Sequence, residues 1–315
     1  MALAGLEEFR RLLACPRCRS ALADEPDGFR CASPDCSFHS QSAFPVVGRW
    51  PVLVDFETSV LRREDVVPRG PRDAEGPLIE RLPKRLRALW KPLNRVAAGN
   101  ADRLLRMLPG PTPLVLVVGG ATVGNGVAAL YTDPQVQVIA FDLHGSENTQ
   151  LIADAHRIPL AAASVDAVLV QAVLEHVLEP TAVVAEIHRV LADDGLVYAE
   201  TPFLQQVHAG AYDFTRYTAS GHRYLFRRFS EIDAGAVAGP GTQLLWSIEH
   251  IVRGLFRSAI AGKLVRAMLF WLRNLDAAVP ASHQSDNASA YYFLGRKRQR
   301  DLTPHEIVRY YRGAG

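Results

Sequence analysis

The sequence predicts an α/β protein: a mostly parallel sheet with helices on both faces, preceded by a small metal-stabilised module. Two observations predict it. Apolar runs of strand length alternate with segments of helical periodicity over most of the chain. All four cysteines of the 315 residues lie between Cys15 and Cys36. Such clustering suits a metal site in a reducing compartment, whereas a secreted disulfide scaffold would spread its cysteines through the fold.

A chain of 315 residues accommodates one full-sized domain and a small module. Hydrophobic residues make up 48% and charged residues 22%, which argues against global disorder. A formal net charge of +2 is too small, for this length, to point to a nucleic-acid partner. The opening MALAGLEEFRRLL carries acids and arginines where a signal peptide needs an uninterrupted apolar run. No uncharged apolar stretch reaches the roughly 18 residues of a membrane span. The nearest, 251–272, is interrupted by Arg253, Arg257, Lys263 and Arg266. The expected location is therefore the cytoplasm.

Three regions differ in texture. Residues 1–56 hold the cysteines and end in the apolar run PVLVDF. Residues 57–77 are charged, rich in proline and glycine and without periodicity, which reads as a linker. Residues 78–315 carry the α/β pattern. There, PLVLVVGG (113–120) reads as a buried parallel strand ending in a glycine turn, with a helix following over about 125–131. VQVIAFD ends the next strand on Asp142, and VDAVLVQ (165–171) precedes a helix over about 180–191. That helix sets Val183, Val184, Ile187, Val190 and Leu191 at core-facing spacing. An Asp193-Asp194-Gly195 turn leads into LVYAETP, and YYFLGRK (291–297) closes the sheet.

Cys15-Pro-Arg-Cys18 puts two thiols on one tight turn, and Cys31 and Cys36 form a second knuckle. Two such pairs, separated by a hairpin-length spacer containing Asp27-Gly28, can converge on a tetrahedral Zn²⁺. A module this small buries too little apolar surface to fold well unaided, and a metal supplies the difference. LLACPRCRSAL, the second cysteine pair and AFPVVGRWPVLVDF together resemble the Trm112-like zinc-ribbon family over roughly the first sixty residues. Members of that family stabilise or activate methyltransferases, so the resemblance implies a supporting, structural zinc. Four cysteines leave no ligand position open for water.

The ordered set VLVVGG, VIAFD, ADAHRIPLAAASVDAVLVQAVLEHV and EIHRVLADDGLVYAETPF resembles the class I S-adenosylmethionine (SAM)-dependent methyltransferases, particularly the type 11 group, over 114–203. The resemblance implies a Rossmann-like sheet whose strand ends hold SAM. It places Gly119, Gly120 and Ala121 at the cofactor, Asp142 at the ribose hydroxyls, Asp154 and Ala155 at the adenine and Gln171 at the methionine portion. The chain departs from the family at two positions. Val117 stands where an acid is usual, and Ala121 puts a methyl group where bare backbone is expected. A degenerate, non-catalytic scaffold is the reading those departures would support.

Methyl transfer is an in-line displacement, so the protein needs only to align the acceptor and, for a hydroxyl, to remove a proton. The residues best placed for this follow LVYAETP: VH-x(4)-DFTRY, from Val207 to Tyr217, then Gly221-His222-Arg223. This segment also resembles type 11 relatives. His208 is the expected general base, since an imidazole titrates near neutrality. Asp213 with Arg216 reads as an ion pair holding the loop, and His176 in LEHV as a residue pinning it. His156 and His188 read as surface residues, and His222 suits either role. The stretch 244–278, apolar with interleaved basic residues, reads as helices packed over the active site. Its composition also suits peripheral membrane contact or helix pairing in a homodimer. The expected activity is methylation of an oxygen or nitrogen in a small-molecule or glycan-type acceptor. The alternative of RNA methylation finds a moderately basic stretch at 81–106 but no basic cluster interleaved with aromatics.

Overall fold

The computed structural model describes residues 2–40, 44–66 and 92–315. The later part of the expected linker (67–77), the boundary at 78 and residues 81–91 of the basic stretch lie outside the described residues. Eleven strands among the described residues join one sheet in the order β1-β2-β3-β4-β7-β6-β5-β8-β9-β11-β10. They are β1 (Leu22–Glu25), β2 (Gly28–Cys31), β3 (Phe44–Val47), β4 (Trp50–Leu53), β5 (Leu114–Val118) and β6 (Gln137–Asp142). The remainder are β7 (Leu151–Ala153), β8 (Val165–Gln171), β9 (Leu191–Pro202), β10 (Phe229–Ala238) and β11 (Ala290–Lys297).

The helices are α1 (Leu6–Phe9), α2 (Ser37–Ser40), α3 (Arg63–Val66), α4 (Arg95–Met107), α5 (Ala128–Thr132) and α6 (Pro180–Val190). They continue with α7 (Ala219–Leu225), α8 (Pro240–Leu255), α9 (Ala259–Met268), α10 (Ala281–Asp286) and α11 (Pro304–Val308). β5 shows how residue order makes two layers. Successive strand side chains point to opposite faces, so Val115 and Val117 pack with Ala97, Ala101 and Leu104 of α4 and Leu130 of α5. Leu116 and Val118 pack on the other side with Val183, Ile187 and Val190 of α6. A strand buried on both faces must be apolar throughout, which is why 114–118 reads LVLVV.

β5 pairs in parallel with β6 and with β8, and β8 in parallel with β9. β11 then lies antiparallel between β9 and β10. The expected Asp193-Asp194-Gly195 turn falls inside β9. Val165 pairs with Leu191 but Ala167 with Leu196, so the intervening residues loop out, with Asp194 at φ 62°. The helix expected from about 125 begins at Ala128. Gly126 holds φ +97°, a left-handed conformation incompatible with an earlier helical turn.

The N-terminal strands extend the same sheet. β1–β2 and β3–β4 are antiparallel pairs, and β4 then pairs in parallel with β7, Val52 to Ile152 and Leu53 to Ala153. β7 is three residues long, too short to display alternation in sequence. Cys15, Phe29, Cys31 and Phe44 share a buried cluster with Phe141 and Ile158. Arg19 donates to Glu186 of α6 at 2.8 Å, and the neighbouring Arg189 donates to the same carboxylate and to the carbonyls of Ile158 and Leu160. Trp50 Nε1 donates to the Thr149 carbonyl at 2.9 Å.

His188 is a correction to the surface reading: it is buried, with Nε2 at 3.0 Å from the Arg298 carbonyl and its ring edge-on to Phe229. Its helix face is closed over by α7 and β10, a long-range packing that helical spacing does not reveal.

Sheet continuity through β4 makes a cooperative prediction. Leu53 is fully buried, and Leu53→Ala should cost about 2–5 kcal/mol of stability. Chemical denaturation should show one transition shifted as a whole. Two separate transitions, with only the smaller one moved, would show that the β4–β7 pairing does not couple the two parts.

Candidate functional site

Parallel strands bring their carboxyl ends to one edge, and where the chain leaves β5 in one direction and β8 in the other a crevice opens. A cavity of about 590 Å³ occupies that position, within the range of small-molecule sites. Its lining draws Val117 and Gly119 from β5 and its turn, Gln171 from β8 and Glu200 from β9. Asn94, at the N-cap of α4, and Asn125 contribute beside them, and His208 comes from the loop after β9.

The glycine turn is tightly built. Gly119 has φ +76°, and a Cβ there would sit 2.3 Å from Val173 Cγ2. A Cβ on Gly124 would lie 1.9 Å from Gln171 Oε1. Both amides of Gly119 and Gly120 donate to the Phe141 carbonyl, at 3.0 and 2.9 Å, fixing the turn against the end of β6. Asp142 Oδ2 accepts from the Ala121 amide at 3.1 Å, and Asn148 Nδ2 donates to the Ala121 carbonyl at 3.3 Å. The methyl group of Ala121 is thus accommodated by a loop held from both sides.

Val117 lines the cavity where an acid is usual, and Glu200 supplies a carboxylate to the same cavity. Its oxygens accept from Asn94 Nδ2 at 3.0 and 3.1 Å, from Gln171 Nε2 at 2.8 Å and from the Tyr198 hydroxyl. Burial raises the Glu200 pKa above the usual carboxylate range. Glu200 follows the apolar run Leu196–Ala199 near the end of β9, and an acid at that position is the sequence signal that could have singled it out.

Of the expected cofactor residues, Gly119 and Gln171 line the cavity, with Gly120 in the same turn. Asp142 acts on the loop through Ala121. Asp154 is buried, accepting from Ser59 Oγ at 2.5 Å and from the His156 amide and Nδ1 at 2.9 and 2.6 Å, with Ala155 buried beside it. Neither belongs to the cavity lining.

The other wall comes from α8 and α9, which contribute Trp246, Glu249, His250 and Arg266. Arg266 and Glu249 form an ion pair at 3.2 Å across the two helices. Trp246 and His250 lie four residues apart on one face of α8, a signal present in the sequence but indistinguishable there from an ordinary packing face.

The loop after β9 folds back over the turn that follows β8. The amides of Phe214 and Thr215 donate to the Glu175 carbonyl at 2.8 and 3.3 Å. Asp213 and Arg216 form the expected ion pair, with Arg216 also donating to the Gln205 carbonyl at 3.0 Å. The hydrogen-bonded guanidinium holds the Asp213 carboxyl far below its usual range. His176 Nδ1 donates to the Tyr212 carbonyl at 2.8 Å, pinning the loop. His208 is partly exposed at the cavity edge, its amide donating to Asp213 Oδ2 at 2.9 Å. Beside it, burial pushes the Glu175 carboxyl up to about 7. His222 is fully enclosed, its ring edge-on to Phe226, and burial lowers it to about 3. It packs the core under α7.

At the N-terminus, Cys15 Sγ and Cys36 Sγ lie 3.9 Å apart, Cys18 Sγ and Cys31 Sγ 3.3 Å, and all four sulfurs within 4.8 Å of one another. Tetrahedral zinc with bonds of about 2.3 Å needs sulfur separations of about 3.8 Å, so the donor set and spacing fit the ion. Arg17, between the first two cysteines, donates to Asp55 at 2.9 and 2.6 Å and stacks on Phe38. That anchors the first knuckle to the segment after β4.

Residues 120–199 match the methyltransferase-domain family Methyltransf_11. No curated protein matches the sequence. Solved structures similar to the chain include a candidate sarcosine dimethylglycine methyltransferase from Galdieria sulphuraria: 14% identity, 71% of this chain and 91% of that one, TM-score 0.43. A complex of the Haloferax volcanii Trm112 methyltransferase activator with a candidate methyltransferase matches at 15%, over 67% and 96%, with TM-score 0.41. Phosphoethanolamine N-methyltransferase 2 from Haemonchus contortus, crystallised with S-adenosyl-L-methionine, matches at 16%, over 64% and 53%, with TM-score 0.40.

The cysteine geometry makes a prediction. Metal analysis of the purified full chain should find about one zinc per molecule, and Cys15→Ser should lower both zinc content and melting temperature. Wild-type protein with no zinc after refolding in its presence would refute the four-sulfur site.

Proposed function

We propose that the chain is a SAM-dependent methyltransferase that transfers a methyl group to an oxygen or nitrogen atom of a small-molecule or glycan-type acceptor. One observation carries this reading. Gly119 and Gln171, from the expected cofactor set, and His208, from the expected acceptor loop, line a single cavity. Bound SAM supplies an electrophilic methyl group on a sulfonium. The protein has then to orient the cofactor, seat the acceptor in line and deal with one proton.

The glycine turn leaves bare backbone facing the cavity, and Gln171, held between Glu200 and the Asn125 carbonyl, presents a fixed amide. Asp142 shapes the turn through the Ala121 amide, and Asp154 and Ala155 fix the neighbouring loop. We assign the acceptor to the space between His208 and the α8–α9 wall. His208 stands at the edge of that space, where an imidazole can take up the proton the acceptor releases. The zinc is structural in this reading, and four cysteines gathered at zinc-ligand spacing favour a cytoplasmic location.

Calorimetry with SAM and its demethylated product tests the cofactor half. Binding should be saturable, and Asp142→Ala should weaken it by about tenfold, about 1.4 kcal/mol, by freeing the Ala121 amide. No binding at millimolar ligand would make the chain a scaffold. Unchanged affinity in the variant would show the pocket is misplaced.

A second feature bears on the acceptor. Among the described residues no helix is long and apolar enough to cross a membrane. Yet α8, α9 and the turn between them expose Ile251, Leu255, Phe256, Ile260, Leu264 and Met268, interleaved with exposed Arg253, Arg257 and Lys263. Apolar side chains ringed by cations match an anionic lipid surface, and we propose that this face rests on one, bringing a membrane-held acceptor to the cavity. The full chain should co-sediment with vesicles containing phosphatidylserine, and Leu255→Asp with Phe256→Asp should release it. Equal sedimentation of the variant, or a dimer by light scattering that this variant dissociates, would overturn the membrane contact.

A further inference from the structure

We infer that Glu175, His176 and His208 form a binding site for a divalent first-row metal ion, separate from the cysteine cluster and open to the acceptor space. Glu175 lies in the short 3₁₀ turn Leu174–His176 that follows β8. Its side chain is 1% exposed, and among the described residues neither carboxylate oxygen has a hydrogen-bond partner from another side chain. A buried acceptor without a donor is costly, and an unpaired carboxylate more so.

What faces it makes the case. His176 Nε2 lies 3.6 Å and His208 Nε2 3.9 Å from the same oxygen, Glu175 Oε1. The opposite nitrogen of each ring is committed. His176 Nδ1 donates to the Tyr212 carbonyl at 2.8 Å. His208 Nδ1 faces two acceptors, the Gln206 carbonyl at 3.4 Å and Asp213 Oδ2 at 3.5 Å. With hydrogens on both Nδ1 atoms, both Nε2 atoms present bare lone pairs to a carboxylate. Three electron-rich atoms converge with no donor among them.

A cation resolves that arrangement. Asp213 and Arg216 close on each other, so neither supplies a cation to the Glu175 carboxyl. The three ligand atoms lie within 4.8 Å of one another. Metal–ligand bonds of about 2.0–2.2 Å need separations of about 3.0–3.5 Å, so His208, on the partly exposed loop, has to close by at most about 1.3 Å. The outer contacts are of the kind that orient metal-bound histidines, a backbone carbonyl on one ring and a carboxylate on the other. Two imidazoles and one carboxylate suit zinc, manganese or iron in the divalent state and leave further positions open.

The site touches both cavities at this edge. His208 lines the larger, and His176 and Tyr212 line a second of about 410 Å³. An acceptor hydroxyl could therefore enter the coordination sphere, where the ion makes the oxygen more acidic and its proton passes to solvent. This role rests on the methyltransferase reading and changes how His208 serves it: the imidazole holds the ion instead of taking the proton itself.

The test uses the full chain, passed over chelating resin to remove weakly held metal and titrated with Mn²⁺ by electron paramagnetic resonance. Manganese favours nitrogen and oxygen over thiolate ligands. One ion per chain should bind at micromolar concentration. Glu175→Gln should weaken it at least tenfold, and Cys15→Ser should leave it unchanged. If Glu175→Gln melts below the assay temperature, His208→Gln on the partly exposed loop takes its place with the same expectation. No saturable binding below about millimolar Mn²⁺, or equal binding by the folded variant, would overturn the site. Calorimetry with the demethylated cofactor on the same sample separates the two readings. Cofactor binding without manganese leaves the methyltransferase standing with His208 as direct base; manganese without cofactor does the reverse.

Discussion

β5 has a parallel neighbour on each side, β6 and β8, and the position of every group at the site depends on that pairing. The chain cannot pass from β5 to two flanking parallel strands without crossing the sheet on opposite faces, so the carboxyl ends of β5 and β8 separate and leave a crevice. Register then sets what projects there. Val118 lies opposite Val170, and Gln171 opposite Glu200, so Gln171 and Glu200 meet at one level near the carboxyl ends of the strands. The glycine turn can approach Val173 and Gln171 closely because no side chain stands between them.

The same sheet explains the place of the cysteine module. An open edge at β7 would expose unpaired backbone groups. β4 covers it, and the hairpins leading to β4 carry the cysteines onto the face where Phe141 and Ile158 are buried. A metal holding those hairpins would thereby also stabilise the edge strand of the larger sheet. Such coupling gives a small module a structural effect on a domain whose cofactor crevice it does not line.

Three carboxylates near the crevice differ in how they are satisfied. Asp213 is paired with a guanidinium, and its pKa is driven down. Glu200 is buried but accepts hydrogen bonds from an asparagine, a glutamine and a tyrosine. Glu175 is buried with no side-chain donor among the described residues. The first two are complete as folded, and the third is the one left for a ligand to satisfy in the proposed metal site.

Alternation and strand-end residues made much of this legible in the sequence. The apolar runs ending at Gly119, Asp142 and Gln171 located three central strands, because a strand buried on both faces has no choice of residue type. The spacing of Cys15, Cys18, Cys31 and Cys36 announced a tetrahedral donor set, since knuckle geometry is local. The Asp213–Arg216 pair was readable for the same reason, three residues apart on one loop. Local chemistry, written within a few residues, is what the sequence by itself determined.

Tertiary structure decided what depends on residues distant in the chain. β7 is too short to show a period, and its pairing with β4 joins segments about a hundred residues apart. The burial of His188 depends on packing from elements that follow it. Glu175 and His176 are separated from His208 by a whole helix and strand, and the loop amides bonded to the Glu175 carbonyl, with the His176–Tyr212 bond, bring them together. A carboxylate's lack of a donor is a property of everything folded around it, so no pattern in neighbouring residues could have disclosed it.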